Sequence, residues 1–255
     1  MKFTVLGCSG GIGGHRARTT AFLINDDTLI DCGTGVGDLP FEALLHIDQV
    51  FLTHAHLDHV LYLPLLADAV IGRRERPIVV HAAAETLAAL REHVFNGHIW
   101  PDFTRIPQPG APVLSFAEMA EGACVQLAAG TVTALPAFHS VPALAWCLDS
   151  GAGRLVFSGD TRFEPSLLKA LNALPSIEHL VVETAFPDEQ QDIARDSSHL
   201  CPQELFQLLD GLSTSPQVHI SHLKPGNGQR IIEQVGRYAG KLRPRMLCQG
   251  DVIEF

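Results

Sequence analysis

Residues 50–59 read Val-Phe-Leu-Thr-His-Ala-His-Leu-Asp-His, a short apolar run that stops at three imidazoles and a carboxylate. Neutral imidazole and ionised carboxylate are the groups zinc takes when no thiolate is supplied. The alternation His54-x-His56 sends two side chains the same way from an extended segment, which suits two ligands on one ion. Asp58 and His59 are adjacent, so they diverge and can serve a second ion a few ångströms away. The competing reading is a polar loop with accidental histidines. Two ions need more ligands than one stretch supplies, so the rest must come from elsewhere. His139 follows the apolar run 132–138, Asp160 follows 155–159 and His222 follows 218–221. A histidine at a strand end is usually structural, but these three stand in a chain that already needs ligands. His219, in mid-strand, reads as a core residue or as support for a ligand.

The elements that must position these groups alternate between strands and helices. A strand over 2–6 leads into Gly7-Cys-Ser-Gly-Gly-Ile-Gly-Gly14. Arg16 stands where a dinucleotide-binding motif needs its last glycine, and no Gly-Lys-Ser/Thr follows. The run therefore reads as a tight turn rather than a phosphate cradle. Residues 21–24 and 28–31 form a hairpin ending at Asp31, which either orients a ligating imidazole or caps a turn. A buried helix is predicted over 60–69, a strand over 77–81 and an amphipathic helix over 83–94. Residues 95–112 read as an irregular loop with Trp100 and Phe103, which either plugs a core edge or closes as a lid over a planar ligand. Strands follow at 113–116, 124–127, 131–138, 144–148 and 154–158. Helices over 164–174, 202–211 and 229–240 alternate with strands over 179–183 and 217–221. Strand-rich halves with helices in each predict an α/β fold, a four-layer αββα sandwich in a single domain over 1–255.

Composition narrows the function. The chain has 255 residues, 46% hydrophobic and 18% charged, as an ordinary soluble globule does. No apolar run reaches the length of a membrane span. Met1-Lys2 runs straight into a strand, unlike a secretory signal. Six cysteines without paired spacing suggest neither a thiolate zinc site nor a disulfide framework, so a cytoplasmic protein is expected. The net charge of −10 argues against a polyanion surface and so against a nucleic-acid polymer as partner.

With His54-x-His56-x-Asp58-His59, His139, Asp160 and His222 in this order, the chain resembles the metallo-β-lactamase superfamily over nearly its whole length. That resemblance implies the αββα fold and two divalent metal ions, usually Zn²⁺, with Mn²⁺ or Fe²⁺ as alternatives. It implies that His54, His56 and His139 hold one ion, that Asp58, His59 and His222 hold the other, and that Asp160 bridges them. Leu6-Gly-Cys-Ser-Gly-Gly, Ser158-Gly-Asp-Thr161 and Ile220-Ser-His-Leu-Lys-Pro-Gly226 resemble the branch that includes RNase Z and the class II 3′,5′-cyclic-nucleotide phosphodiesterases. The His-Leu-Lys-Pro-Gly ending is closer to the cyclic-nucleotide group, and the long basic arm of RNase Z is not apparent. Glyoxalase-II-like enzymes carry an added helical C-terminal region, whereas this chain is expected to end in a strand over 252–255. The resemblance also suggests a homodimer.

The expected reaction is hydrolysis of a small phosphodiester, a 3′,5′-cyclic nucleotide first, to a monophosphate. Two such ions would bring a shared water toward a pKa of ~7, so that a bridging hydroxide attacks phosphorus. Asp58 serves as ligand and as part of this catalytic centre. An alkoxide leaves poorly without a proton, and His199 and Lys224 are the candidates to face it, with Glu183 orienting His199. His199 as a surface residue capping the next helix is the competing reading. An RNase Z-like endonuclease and a thioester or lactone hydrolase are the alternative functions.

Overall fold

In the computed structural model, residues 1–14, 17–108 and 110–255 are described; Arg16 and Pro109 of the 95–112 loop lie outside them. The strands in chain order are β1 Lys2–Gly7, β2 Ala21–Ile24, β3 Thr28–Ile30, β4 Gln49–Phe51, β5 Ile78–Ala82, β6 Pro107–Gln108, β7 Ala111–Pro112 and β8 Leu114–Glu118. Then come β9 Cys124–Leu127, β10 Gly130–Phe138, β11 Pro142–Asp149, β12 Arg154–Phe157, β13 His179–Glu183, β14 Gln217–Ser221, β15 Arg245–Met246 and β16 Val252–Glu254. The helices are α1 Phe41–His46, α2 Leu57–Val60, α3 Leu63–Val70, α4 Ala84–His93, α5 Pro165–Ala173, α6 Gln191–Ser197, α7 Pro202–Gly211 and α8 Gly228–Val235.

Two seven-stranded mixed sheets face each other, ordered β16-β1-β2-β3-β4-β5-β8 and β15-β14-β13-β12-β11-β10-β9. Strand alternation builds the layers, because successive side chains leave a strand on opposite faces. Phe3 and Val5 of β1, Phe22 and Ile24 of β2, Trp146 of β11 and Leu155 and Phe157 of β12 fill the space between the sheets. Their neighbours point outward. Leu6, Leu23 and Val50 pack with Leu63, Leu66, Leu87 and Leu90 of α3 and α4. Val156, Leu180 and Val182 pack with Leu167, Leu205 and Ile231 of α5, α7 and α8. Three buried layers between two sheets and two sets of helices make the expected αββα sandwich. Among the described residues no helix is long and apolar enough to cross a membrane.

Parallel pairing brings the ends that matter into line. β3 and β4 pair with Ile30 opposite Phe51, β12 and β13 with Phe157 opposite Val181, and β13 and β14 with Glu183 opposite Ser221. The segments that follow these strands carry Asp31, residues 53–59, Asp160 and His222, and Glu183 is the last residue of β13.

Several expectations change in detail. The helix expected over 60–69 is two pieces, α2 and α3, interrupted at Leu61 and Tyr62. The helix expected over 229–240 stops at Val235 before Gly236. In the 95–112 loop Phe103 is buried within the outer core, Trp100 packs against that core, and the Trp100 indole N–H donates to the carbonyl of Pro64 at 3.1 Å. These aromatics plug a core edge and do not stand as a lid.

Candidate metal centre

Residues 53–56 connect β4 to the one-turn α2, whose extended N-cap is His56 and which carries Asp58 and His59. The loop after β3 is stitched to this turn: Cys32 N–H donates to the carbonyl of His59 at 2.7 Å, and Tyr62 N–H to that of Cys32 at 2.9 Å. That placement puts Asp31 against His59. Nδ1 of His59 lies 2.7 Å from Asp31 Oδ2, and the Thr53 hydroxyl donates to the same oxygen at 2.8 Å. Thr53 Oγ1 lies 3.0 Å from Nδ1 of His54. Asp31 thus holds His59 directly and His54 through Thr53, so of its two expected roles it orients imidazoles. Two further Nδ1 atoms are held likewise: His139 donates to the carbonyl of Ser198 at 3.0 Å, and His222 lies 3.4 Å from Thr20 Oγ1. A ring fixed through Nδ1 presents Nε2 inward as the ligand atom.

The inward atoms converge on Asp160. Its Oδ2 lies 3.1 Å from His222 Nε2, 3.3 Å from His59 Nε2, 3.8 Å from His54 Nε2 and 4.0 Å from His139 Nε2. Asp58 Oδ2 is 3.9 Å from His59 Nε2 and 3.8 Å from His222 Nε2. His56 Nδ1 faces His139 Nε2 at 3.1 Å. The groups His54–His56–His139 and Asp58–His59–Asp160–His222 take in all seven expected residues, and a third cluster of His139, Asp160 and His199 overlaps both. Asp58 and His59, expected to serve the second ion, both fall in the second group, and both lie on α2.

These residues fit divalent cations. His54 Nε2, His59 Nε2 and Asp160 Oδ1 are buried without a hydrogen-bond partner, an arrangement that costs free energy unless something binds there. Burial holds His54 and His222 well below the ordinary imidazole range and pulls His139 down to about 4, which keeps them in the neutral form a metal needs. His59 goes the other way. Burial pulls it down most strongly, but Asp160 and Asp31 together hold it well above its usual value. Two buried carboxylates demand positive charge at that point, and a divalent ion meets the demand. Asp31, Ser198 and His222 all adopt positive φ, at 57°, 58° and 60°. Each such non-glycine residue costs on the order of 1–3 kcal/mol and is kept where the surrounding structure enforces it.

Beside the ligands, Nδ1 of His199 lies 2.7 Å from Glu183 Oε1, and both residues are buried. This overturns the surface reading of His199. Its ring stacks on that of His222 at 5.2 Å between centroids and is flanked by Phe186 at 5.7 Å. Lys224 Nζ stands 3.1 Å from His222 Nε2. His219 lies elsewhere, paired with His179 at 3.1 Å. Sequence reasoning missed Thr53, Thr20 and the Ser198 carbonyl. A threonine between a buried strand and two histidines is a usable signal for Thr53. A backbone carbonyl turned by a left-handed residue leaves none.

Two facing mixed sheets with helices outside and a His/Asp cluster at their strand ends are the architecture of the metallo-β-lactamase fold. The family described as beta-lactamase superfamily domain matches residues 27–239, and the chain belongs to it. It is 33% identical over 109 residues to a ribonuclease Z of Haloarcula marismortui, a match covering 40% of this chain and 35% of that protein. It is 25% identical over 183 residues to the probable metallo-hydrolase YhfI of Bacillus subtilis, covering 66% and 67%. It is 39% identical over 59 residues to a probable 3′,5′-cyclic-nucleotide phosphodiesterase of Yersinia pestis, covering 23% and 16%. The fold matches the crystal structure of YhfI with a TM-score of 0.76 at 19% identity, over 99% and 98% of the two chains. It matches unliganded yeast PDE1 with a TM-score of 0.77 at 17% identity, over 98% of each.

Proposed function

We propose that the protein is a dinuclear zinc-dependent phosphodiesterase of the cytoplasm that hydrolyses a small phosphodiester, above all a 3′,5′-cyclic nucleotide, to a monophosphate. The observation that carries this reading is the pair of ligand groups meeting at Asp160 with His199, backed by Glu183, alongside. His54, His56 and His139 would hold one ion and Asp58, His59 and His222 the other, with Asp160 shared. When bound, the ions supply Lewis acidity and a water acidic enough to attack at neutral pH.

The chain's own residues do the rest. Asp58 and Asp160 offset about half of the formal +4 of two divalent ions, leaving a local field suited to a monoanionic diester. The fixed Nδ1 contacts of His54, His59, His139 and His222 hold the ligand atoms without reorganisation during turnover. Nδ1–H of His199 donates to the Glu183 carboxylate, which favours the imidazolium form, and in that form Nε2–H is the proton that the leaving ribose oxygen needs. Lys224 adds a cation on the His222 side, where the leaving oxygen gains charge.

The similarity to the Yersinia pestis phosphodiesterase supports the cyclic-nucleotide reading, and so does the charge of −10, since a tRNA brings dozens of phosphates to a surface poor in cations. The ribonuclease Z similarity favours a second reading, an RNA-processing endonuclease built on the same centre. The reaction type is tested by offering zinc-loaded protein bis(p-nitrophenyl) phosphate, a thioester and a lactone, with and without chelator. Diester hydrolysis that is lost on chelation and restored by zinc is expected. Turnover of the thioester or lactone alone would sink the phosphodiester reading.

A further inference from the structure

Beside Asp58 the surface opens into a recess of about 320 Å³ between the glycine loop and the α2 turn. Small-ligand sites begin at about this size, roughly 300 Å³. Its walls are unusual for a surface next to charged groups. Leu57 and Leu61, one helical turn apart, are 65% and 42% exposed, and Ile12 of the glycine loop, which lines the same recess, is 74% exposed. Single exposed apolar residues need no explanation, but three lining one recess do. Thr19 and Thr34 complete the wall. Each oxygen accepts the other residue's backbone N–H at 2.8 Å, so each hydroxyl hydrogen can still be donated.

The recess is continuous with the metal centre. Asp58 belongs to both. A Cβ on Gly10 would lie 2.5 Å from the carbonyl oxygen of His222, and one on Gly11 would lie 2.9 Å from the Pro225 ring. The loop that carries Ile12 therefore rests directly on the segment that carries His222 and Lys224.

We propose that this recess binds the planar base of the substrate, with Ile12, Leu57 and Leu61 covering its faces and the threonine hydroxyls donating to its polar edge. The inference rests on the phosphodiesterase reading and gives that site its specificity element. A base is flat, largely apolar on its faces and rich in acceptors at its edge, which matches the wall. The stacking role open to Trp100 in the sequence passes to these aliphatic side chains, because Trp100 is committed to the core.

Calorimetric titration of zinc-loaded protein with AMP and with ribose 5-phosphate, which lacks the base, tests the assignment without turnover. The native protein should bind AMP at least about tenfold more tightly. Leu57→Ala and, in the glycine loop, Ile12→Ala should each bring that ratio toward one by weakening AMP. AMP binding no tighter than ribose 5-phosphate, including no detectable binding of either, overturns the proposal. So does a ratio that both variants leave unchanged, or variants that alter only the sedimentation of the protein, which would mark a contact between copies of the chain. Variant-sensitive preference for AMP in a protein that hydrolyses no phosphodiester would leave the recess standing and remove the phosphodiesterase reading instead.

Discussion

Oε1 of Glu183 accepts from Nδ1 of His199 at 2.7 Å and from the backbone N–H of Thr161 at 2.9 Å. One buried carboxylate therefore ties the candidate proton donor to the segment that carries Asp160. His199→Ala should slow a ribose-leaving cyclic nucleotide by ~10²–10⁴-fold, the usual worth of a general acid. A nitrophenyl diester, whose leaving group needs no proton, should lose far less. Equal losses on the two substrates would remove the proton-donor role.

The same pair predicts a pH effect. Burial pulls the His199 pKa down, and the Glu183 carboxylate outweighs it, holding the ring above its ordinary value. The protonated ring donates, so activity falls as pH rises through that pKa. Glu183→Gln removes the charge that raises it, and the alkaline limb of kcat should move to lower pH relative to the native protein. An unmoved limb with a merely lower plateau would assign Glu183 a structural part alone.

Metal analysis of protein purified without chelator should return two ions per chain, since seven ligands exceed what one tetrahedral ion uses. Asp160→Ala should abolish turnover and release metal, because its carboxylate faces four of the five imidazoles in the two groups. Asp31→Asn should weaken metal binding by ~10–100-fold, as expected where a ligand loses the group that orients it. One ion or fewer in a fully active preparation would contradict the dinuclear account.

Much of this was legible in the sequence because strand ends and ligand types are local properties. The run 54–59 and the apolar stretches before His139, Asp160 and His222 needed no tertiary information. The role of Asp31 did, because a turn cap and an imidazole anchor look alike until the loop at Cys32 is stitched to His59. His199 and Glu183 come from different elements, and only their juxtaposition shows that the histidine is buried. The break between α2 and α3 was hidden because residues 60–70 are apolar enough to read as one helix. Two-residue strands such as Arg245–Met246 exist only through their partners and carry no periodicity to read.

The placement of Trp100 and Phe103 yields a stability prediction. Phe103→Ala should cost about 3–5 kcal/mol by opening a cavity in the outer core. The KM for a cyclic nucleotide should change little. A raised KM at unchanged melting temperature would restore the lid.

His81, outside the ligand groups, predicts acid sensitivity. Its ring stacks on Phe51 at 4.4 Å between centroids, Nε2 lies 2.6 Å from Gln49 Oε1, and burial pulls its pKa down to about 4. A neutral buried imidazole contributes stability that is full above the unfolded value of ~6.5 and is lost as pH falls toward the folded value. Up to about 3 kcal/mol is at stake. With chelator present, denaturant melts at pH 7.5 and 4.5 should show a smaller pH difference for His81→Leu than for the native chain. An unchanged difference would exclude His81 as the source.

The substrate is the central claim, and one comparison tests it most directly: kcat/KM for 3′,5′-cAMP and for a precursor tRNA, measured on the same zinc-loaded preparation. The account predicts conversion of the cyclic nucleotide to the monophosphate, with precursor tRNA slower by orders of magnitude. Maturation of the tRNA at a rate far above that of cyclic-nucleotide hydrolysis would contradict it and make the protein an RNA-processing enzyme.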